Sequence, residues 1–339
     1  MRKSTNARAV STLPERGQRD SEPRCIISLG DNDLRNESRW GGMRNYFESL
    51  ADFAAAEELK DGLTSVNIGA TYLDLYSVIK PGMPLYIYFQ GAQRRVERNI
   101  KLPIFSGNRI HPQECSRLAI SDPALHFNKE IIIGWYAGSK EFATQKVIVP
   151  LVLDKLISLA KPSMLVFVGA SGGGFASLYF SRLYPRSIAL VCNPQTNILK
   201  YWERIVLEFL RTCYGIDDIE LAAKKPQLTL GIVKNLCWFY RPSQGKMLNR
   251  IIYMQNVNDK FHVEQHYSRF MRALGVKMSM EVGPFQQGNV LALMGNWGKG
   301  HTAAPGDVWS QILSNLYLEQ GSVDELFETG HAQKILGRV

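Results

Sequence analysis

Gly169-Ala170-Ser171-Gly172-Gly173 places a serine between glycines two positions away on either side. The stretch follows the apolar run 164–168 and precedes a helix-compatible segment, 174–183. A strand, a small-Ser-small turn and a helix together form a nucleophile elbow, with the serine standing above the sheet edge at the positive end of the helix. The first N–H groups of that helix can hold a developing oxyanion. Two other glycine-rich chemistries are excluded. A dinucleotide-binding turn needs glycine where Ser171 stands and an acidic residue where the next strand ends at Asn193. A P-loop needs Gly-Lys-Ser/Thr, which does not occur.

A serine hydroxyl needs a general base, and the base needs an orienting acid. In the chain order Ser, acid, His, both partners lie downstream of Ser171. The histidines there are His262, His266, His301 and His331. His301 sits in Gly298-Lys-Gly-His301-Thr-Ala-Ala-Pro305, after the last expected strand and before a helix, and is the expected base. Asp259 lies just past a strand and is the expected acid, although Asp259 or Asn258 there can also cap a helix. Asp217, Asp218 and Asp307 are weaker alternatives. The oxyanion donors are expected at Gly172 and in the turn Gln90-Gly91-Ala92-Gln93, where the small Gly91 and Ala92 let a backbone N–H approach.

Arg94 and its neighbour Arg95 can hold an anionic part of a substrate or serve as plain surface charge. His262 is read either as lining the mouth of the site, beside Asp259, or as an ordinary solvent-facing helix residue. It is four residues from His266, a spacing that can chelate a metal. The intervening Val-Glu-Gln lacks the zincin glutamate directly after the first histidine, and no third ligand stands out. No metal and no cofactor are therefore expected.

The elements that must position these residues alternate between strand and helix. Strands are expected at 25–29, 65–68, 73–78, 85–89, 117–120, 130–135, 164–168, 187–192, 250–254 and 276–282. Helices are expected at 45–58, 142–159 with a break near Pro150, 174–183, 201–214, 228–240, 263–274, 307–318 and from Val323. This pattern implies an α/β fold with a mostly parallel sheet, helices on both faces and an antiparallel early edge. Residues 1–24 read as a disordered basic tail. Residues 25–197 and 246–339 read as the core, and 198–245 as a helical cap insertion.

The chain has 339 residues, 45% hydrophobic and 21% charged, which excludes collagen-like and repeat classes. The formal charge of +9 is spread without a basic block, so no nucleic-acid partner is expected. Five cysteines without a CxxC pair fit free thiols in a reducing compartment. No secretory signal and no transmembrane run is read, so the expected location is cytoplasmic. The oligomeric state is not legible.

The elbow, Asp259 and His301 in this order resemble the alpha/beta-hydrolase superfamily over roughly residues 60–320. Phe89-Gln-Gly-Ala92, Ser121-Asp-Pro123, Gly134-Trp-Tyr136 and the Asp259/His262 pair are similar to hydrolase-like proteins of bacterial capsule and surface-glycan loci. The resemblance implies a serine hydrolase acting on a small-molecule or glycan carboxylic ester. The alternatives are an acyltransferase acting on a sugar hydroxyl and a non-catalytic hydrolase-fold partner in a glycan-assembly or secretion complex. Labelling of Ser171 separates enzyme from scaffold.

Overall fold

Apolar strands buried on both faces dominate the middle of the chain, and such runs belong to a parallel sheet covered by helices. In the computed structural model, which describes residues 35–69, 71–98, 100–107, 110–318 and 327, ten strands form one sheet. They are β1 (Met43–Phe47), β2 (Gly62–Asn67), β3 (Tyr72–Val78), β4 (Leu85–Phe89), β5 (Ser116–Ile120), β6 (Leu165–Ala170), β7 (Ile188–Cys192), β8 (Arg250–Asn256), β9 (Gly283–Gln287) and β10 (Val290–Gly295). Their order across the sheet is β1-β2-β3-β5-β4-β6-β7-β8-β10-β9. From β5 to β10 every pairing is parallel. The expected antiparallel pairing appears at β2–β3, joined by a short turn with no room for a crossover helix, and at β3–β5.

The helices are α1 (Leu50–Ala55), α2 (Arg95–Arg98), α3 (Val149–Ala160), α4 (Gly172–Ser181), α5 (Glu203–Tyr214), α6 (Ile219–Lys224), α7 (Leu236–Phe239), α8 (Lys260–His262), α9 (Ser268–Leu274) and α10 (Gly306–Leu318). One apolar cluster lies between the sheet and α3, α4 and α9, and includes Phe89, Phe167, Phe175, Phe180 and Phe270. The other lies under α10, where Ile312, Leu313 and Leu316 meet Val168, Leu190 and Met254. No helix among the described residues is long and apolar enough to cross a membrane.

Four element readings change. The helix expected over 45–58 is strand β1 followed by the shorter α1, with Ser49 accepting from the Asp52 N–H as its cap. Phe47 and Phe53 do meet, edge to face at 5.5 Å, but across a strand–helix corner. Residues 130–135 are not a strand. Their apolar side chains are buried around the elbow, and Trp135 and Tyr136 hold φ of 53° and 55°, incompatible with an extended ladder. The helix expected over 228–240 is only α7, because Pro226 opens a 3₁₀ turn and Leu230 and Gly231 adopt left-handed backbone. The strand expected at 276–282 is irregular. The sheet instead ends in the β9–β10 hairpin, whose β10 is fully buried and lies beyond the last expected strand.

The expected strand at 25–29, the tail 1–24 and the helix from Val323 lie outside the described residues. Residues 198–245 contain helices and turns and no strand. They pack on the α4 side of the sheet: Phe239 stacks on Tyr179 at 5.2 Å, and the Tyr240 hydroxyl donates to Leu178 O at 2.6 Å.

Candidate active site

Ser171 leaves β6 with φ 55° and ψ −120°, a conformation that costs a non-glycine residue about 1–3 kcal/mol. The surrounding packing holds it there. Its N–H donates to Cys192 O, and its carbonyl accepts from the N–H groups of Phe175 and Gln195. The flanking glycines follow from space. A Cβ on Gly173 would collide with the Phe89 carbonyl, and one on Gly172 with the Ile133 side chain. Gly172 opens α4, so its N–H has no intrahelical acceptor.

The turn after β4 lies against the serine. A Cβ on Gly91 would stand 3.5 Å from Ser171 Cβ and 3.0 Å from Ala170 O. The turn is pinned at both ends: the Gln90 N–H donates to the Tyr136 hydroxyl at 2.8 Å, and the Gln93 N–H to Ile132 O at 2.8 Å. Between those anchors, the Gly91 and Ala92 N–H groups donate to no other described residue.

Asp259 follows β8 and caps α8, its Oδ1 accepting from the His262 N–H at 3.2 Å. The same carboxylate serves two imidazoles. His301 Nδ1 donates to Oδ2 at 2.5 Å, and His262 Nδ1 lies 2.9 Å from Oδ2 and 3.1 Å from Oδ1. Burial would raise the Asp259 pKa, but the bonds from His262 and His301 outweigh it and hold the carboxyl well below the usual range. Burial pushes His262 down, against the pull of Asp259. The His262 ring is 1% exposed and stacks on His301, with centroids 3.9 Å apart and planes 17° from parallel.

The His301 loop is tied to the sheet. Asn256 Nδ2 donates to the carbonyls of Gly298 and Gly300, and Asn193 Nδ2 donates to Thr302 O. Ser171 follows β6 and Asp259 follows β8, with β7 between them. Two strand spacings, roughly 10 Å, therefore separate their backbones, a gap that the His301 loop borders. Asp259, His262 and His301 bring three ligand-type atoms within 4.8 Å of one another. Two near-parallel stacked rings direct their in-plane lone pairs along separate planes, a poor match to a single ion.

Ser171 Oγ accepts a hydrogen bond from Gln195 Nε2 at 3.1 Å, and Gln195 Oε1 accepts from the Trp135 indole N–H. Sequence reasoning passed over both residues as site members. The signal that finds Gln195 is register. Ala170 pairs with Cys192, so the residues just beyond β7 stand beside those just beyond β6. Arg94 is exposed, 3.7 Å from Glu97, and lines a cavity of about 440 Å³ with Lys129, Trp202 and Arg204. A larger cavity of about 570 Å³ lies on the α10 side of the elbow. Trp40, Phe105, Ile110, Trp309 and Leu313 wall it, and it reaches Gly91 and Ala170.

A mostly parallel sheet with a strained serine elbow after one strand and an Asp–His pair beyond later strands defines the alpha/beta-hydrolase fold, and this chain has it. One solved structure bears this fold out, and others are similar more distantly. The capsule O-acetyltransferase of Neisseria meningitidis serogroup A is similar at 12% identity and TM-score 0.50, over 78% of this chain and 97% of that one. The Glycosylation Associate Protein (Gap123) complex from Streptococcus agalactiae is similar at 18% identity and TM-score 0.47, over 77% of this chain and 45% of that one. Mycobacterium tuberculosis MPT51 (FbpC1) is similar at 11% identity and TM-score 0.42, over 77% and 95%. No family model and no curated protein sequence matches the chain.

Proposed function

We propose that the chain is a serine acyl-transfer enzyme whose default reaction is hydrolysis of a carboxylic ester. The observation that carries this reading is the Asp259–His301 pair on the same sheet rim as the strained Ser171. Ser171 Oγ attacks the acyl carbonyl carbon while its proton passes to His301 Nε2. Asp259 keeps the other ring proton on Nδ1, which leaves Nε2 as the basic atom. The carbonyl electron pair moves onto oxygen, where the N–H groups of Gly172 and of Gly91 or Ala92 receive it. As the pair returns, the bond to the alcohol breaks and His301 gives that alcohol its proton. Water then repeats the sequence on the acyl-enzyme. The aromatic-walled cavity reaching Gly91 suits the acyl group.

One observation favours a sugar hydroxyl in place of water. Trp202 is 45% exposed, stacks on Tyr201 at 5.1 Å and lies near Phe261. Tyr201 in turn lies 6.0 Å from His262. A partly open indole linked to the base through Tyr201 and His262 suits the C–H face of a pyranose, and it gives the start of the insertion a role as a cap on the acceptor side. The fold is one that also carries a capsule O-acetyltransferase.

The test is labelling by a fluorophosphonate together with hydrolysis of p-nitrophenyl acetate, with and without added oligosaccharide. Wild type should label once, and Ser171→Ala should not label while unfolding at the wild-type temperature. A wild type that resists labelling sinks the enzyme reading and leaves the scaffold one. Acyl groups found on the sugar rather than in water select the transferase.

A further inference from the structure

Gln195 touches the reacting oxygen, and its neighbours decide which end of its amide does so. An indole N–H can only donate, so Trp135 requires the carbonyl end of the Gln195 amide. That leaves the NH₂ end facing Ser171 Oγ at 3.1 Å. Gln195 is fully buried, and its own N–H donates to the Ser171 carbonyl at 3.0 Å, so backbone and side chain both fasten it to the elbow. Trp135 is equally fixed. It is 1% exposed, edge-on to Phe209 at 5.2 Å and to Tyr201 at 6.1 Å, on a left-handed backbone whose next residue is anchored through its N–H to Asp122.

We propose that Gln195 is a catalytic residue that donates a hydrogen bond to Ser171 Oγ, with Trp135 as the positioning residue that keeps the amide from flipping. This rests on Ser171 being the nucleophile. The serine oxygen has two lone pairs and one proton. One pair accepts from Gln195, which fixes the side-chain rotamer and leaves the proton free to point to His301 and the second pair free to attack. Gln195 loses no proton at any stage. When the tetrahedral adduct that water forms on the acyl-enzyme collapses, Oγ is the departing oxygen and takes its proton back from His301, and the same N–H stabilises the charge that gathers there first. A glutamate at 195 would accept from Trp135 equally well but would turn a carboxylate oxygen toward Oγ.

The test compares second-order rates of fluorophosphonate labelling for wild type, Gln195→Glu, Gln195→Ala and Trp135→Phe, each checked for wild-type thermal unfolding. Removing a donor from an oxyanion hole costs about 10²–10³ in rate, which sets the upper scale for a donor that holds the attacking oxygen. Relative to wild type at the same pH, which takes out the shared titration of the Asp259, His262 and His301 cluster and of Tyr201, Gln195→Glu should lose roughly that much near pH 8 and less at acidic pH, where a protonated carboxyl can donate, a pH response a merely structural role would not produce. Trp135→Phe should lose less, because the amide still spends part of its time in the donating orientation. A readout independent of activity is the Gln195 side-chain NH₂ resonance, which should shift in Ser171→Ala as its acceptor disappears. Wild-type labelling with unchanged rates in both Gln195 variants overturns this role alone. A wild type that does not label overturns the nucleophile and this role together.

Discussion

At the scale of single residues, the site turns on one carboxylate serving two imidazoles. Asp259→Asn keeps the shape but replaces one acceptor oxygen with an NH₂ donor. An NH₂ facing His301 Nδ1 forces the ring proton onto Nε2, the wrong tautomer for a base. Labelling of Ser171 should fall about 10³–10⁴-fold; a rate within tenfold of wild type would remove Asp259 from the mechanism. Ser171 and Asp259 stand out as candidates in the sequence because each sits at a turn signal beyond an apolar run, and His301 because it sits in a glycine-flanked loop before a helix; the structure brings Asp259 and His301 together. Gln195 does not stand out, because its approach to Ser171 depends on the β6–β7 register. The stacking of His262 under His301 was not legible either. The sequence allows His262 at the site mouth or facing solvent; the structure buries its ring, which Asp259 holds against His301.

At the scale of elements, the elbow is a strand and a helix pressed so close that only glycine fits between them. Gly173→Ala would drive a methyl into the Phe89 carbonyl, a backbone atom with no rotamer to relieve it. It should destabilise the protein by about 3 kcal/mol or more, measured by chemical denaturation, and a loss under 1 kcal/mol would show that the elbow relaxes. The cavity beside it gives a second prediction. Ser106 lies on its wall and is only half-buried, so Ser106→Phe can fill the space without disturbing the core. Cleavage of longer-chain or aromatic esters should drop about tenfold or more, while acetyl esters hold steady. Equal losses for all chain lengths would put the acyl group elsewhere. The central strands were readable because β-rich apolar runs are short and bounded. The last hairpin was not. Gly288 and Asn289 look like loop punctuation, and the decisive fact, that β10 pairs in parallel with β8, is tertiary. Residues 130–135 misled in the opposite sense, since burial around the elbow produces the same apolar run that a strand would.

Across the whole molecule, several buried titratable groups are held in the form that burial favours, and this links stability to pH. Burial lowers His266 to about 3, with the nearby His262 acting the same way. His266 is fully buried, and its Nδ1 accepts from the Thr196 N–H at 3.2 Å, a bond that only the neutral ring can make. His126, buried near Asp74, is also pushed down by burial. A histidine with a depressed folded pKa stabilises fully above its unfolded value near 6.5, and the contribution is lost as pH falls. Asp122 acts oppositely. Burial raises it to about 6, so protonating it between about 6 and 4 relieves some cost. His262 is pushed down in the same way, and Asp74 and Asp259, both held below the usual range, also lose stability as pH falls, so among these groups Asp122 alone works against a net loss toward acid. His266 by itself accounts for on the order of 3 kcal/mol of that loss by pH 4. The urea midpoint should therefore fall steadily between pH 6.5 and pH 4. His266→Gln can keep an acceptor for Thr196 without carrying a titrating ring, so it should flatten that slope even if it lowers stability at pH 7. A variant whose midpoint falls with pH as steeply as wild type would mean that His266 is not the group whose protonation opens the fold.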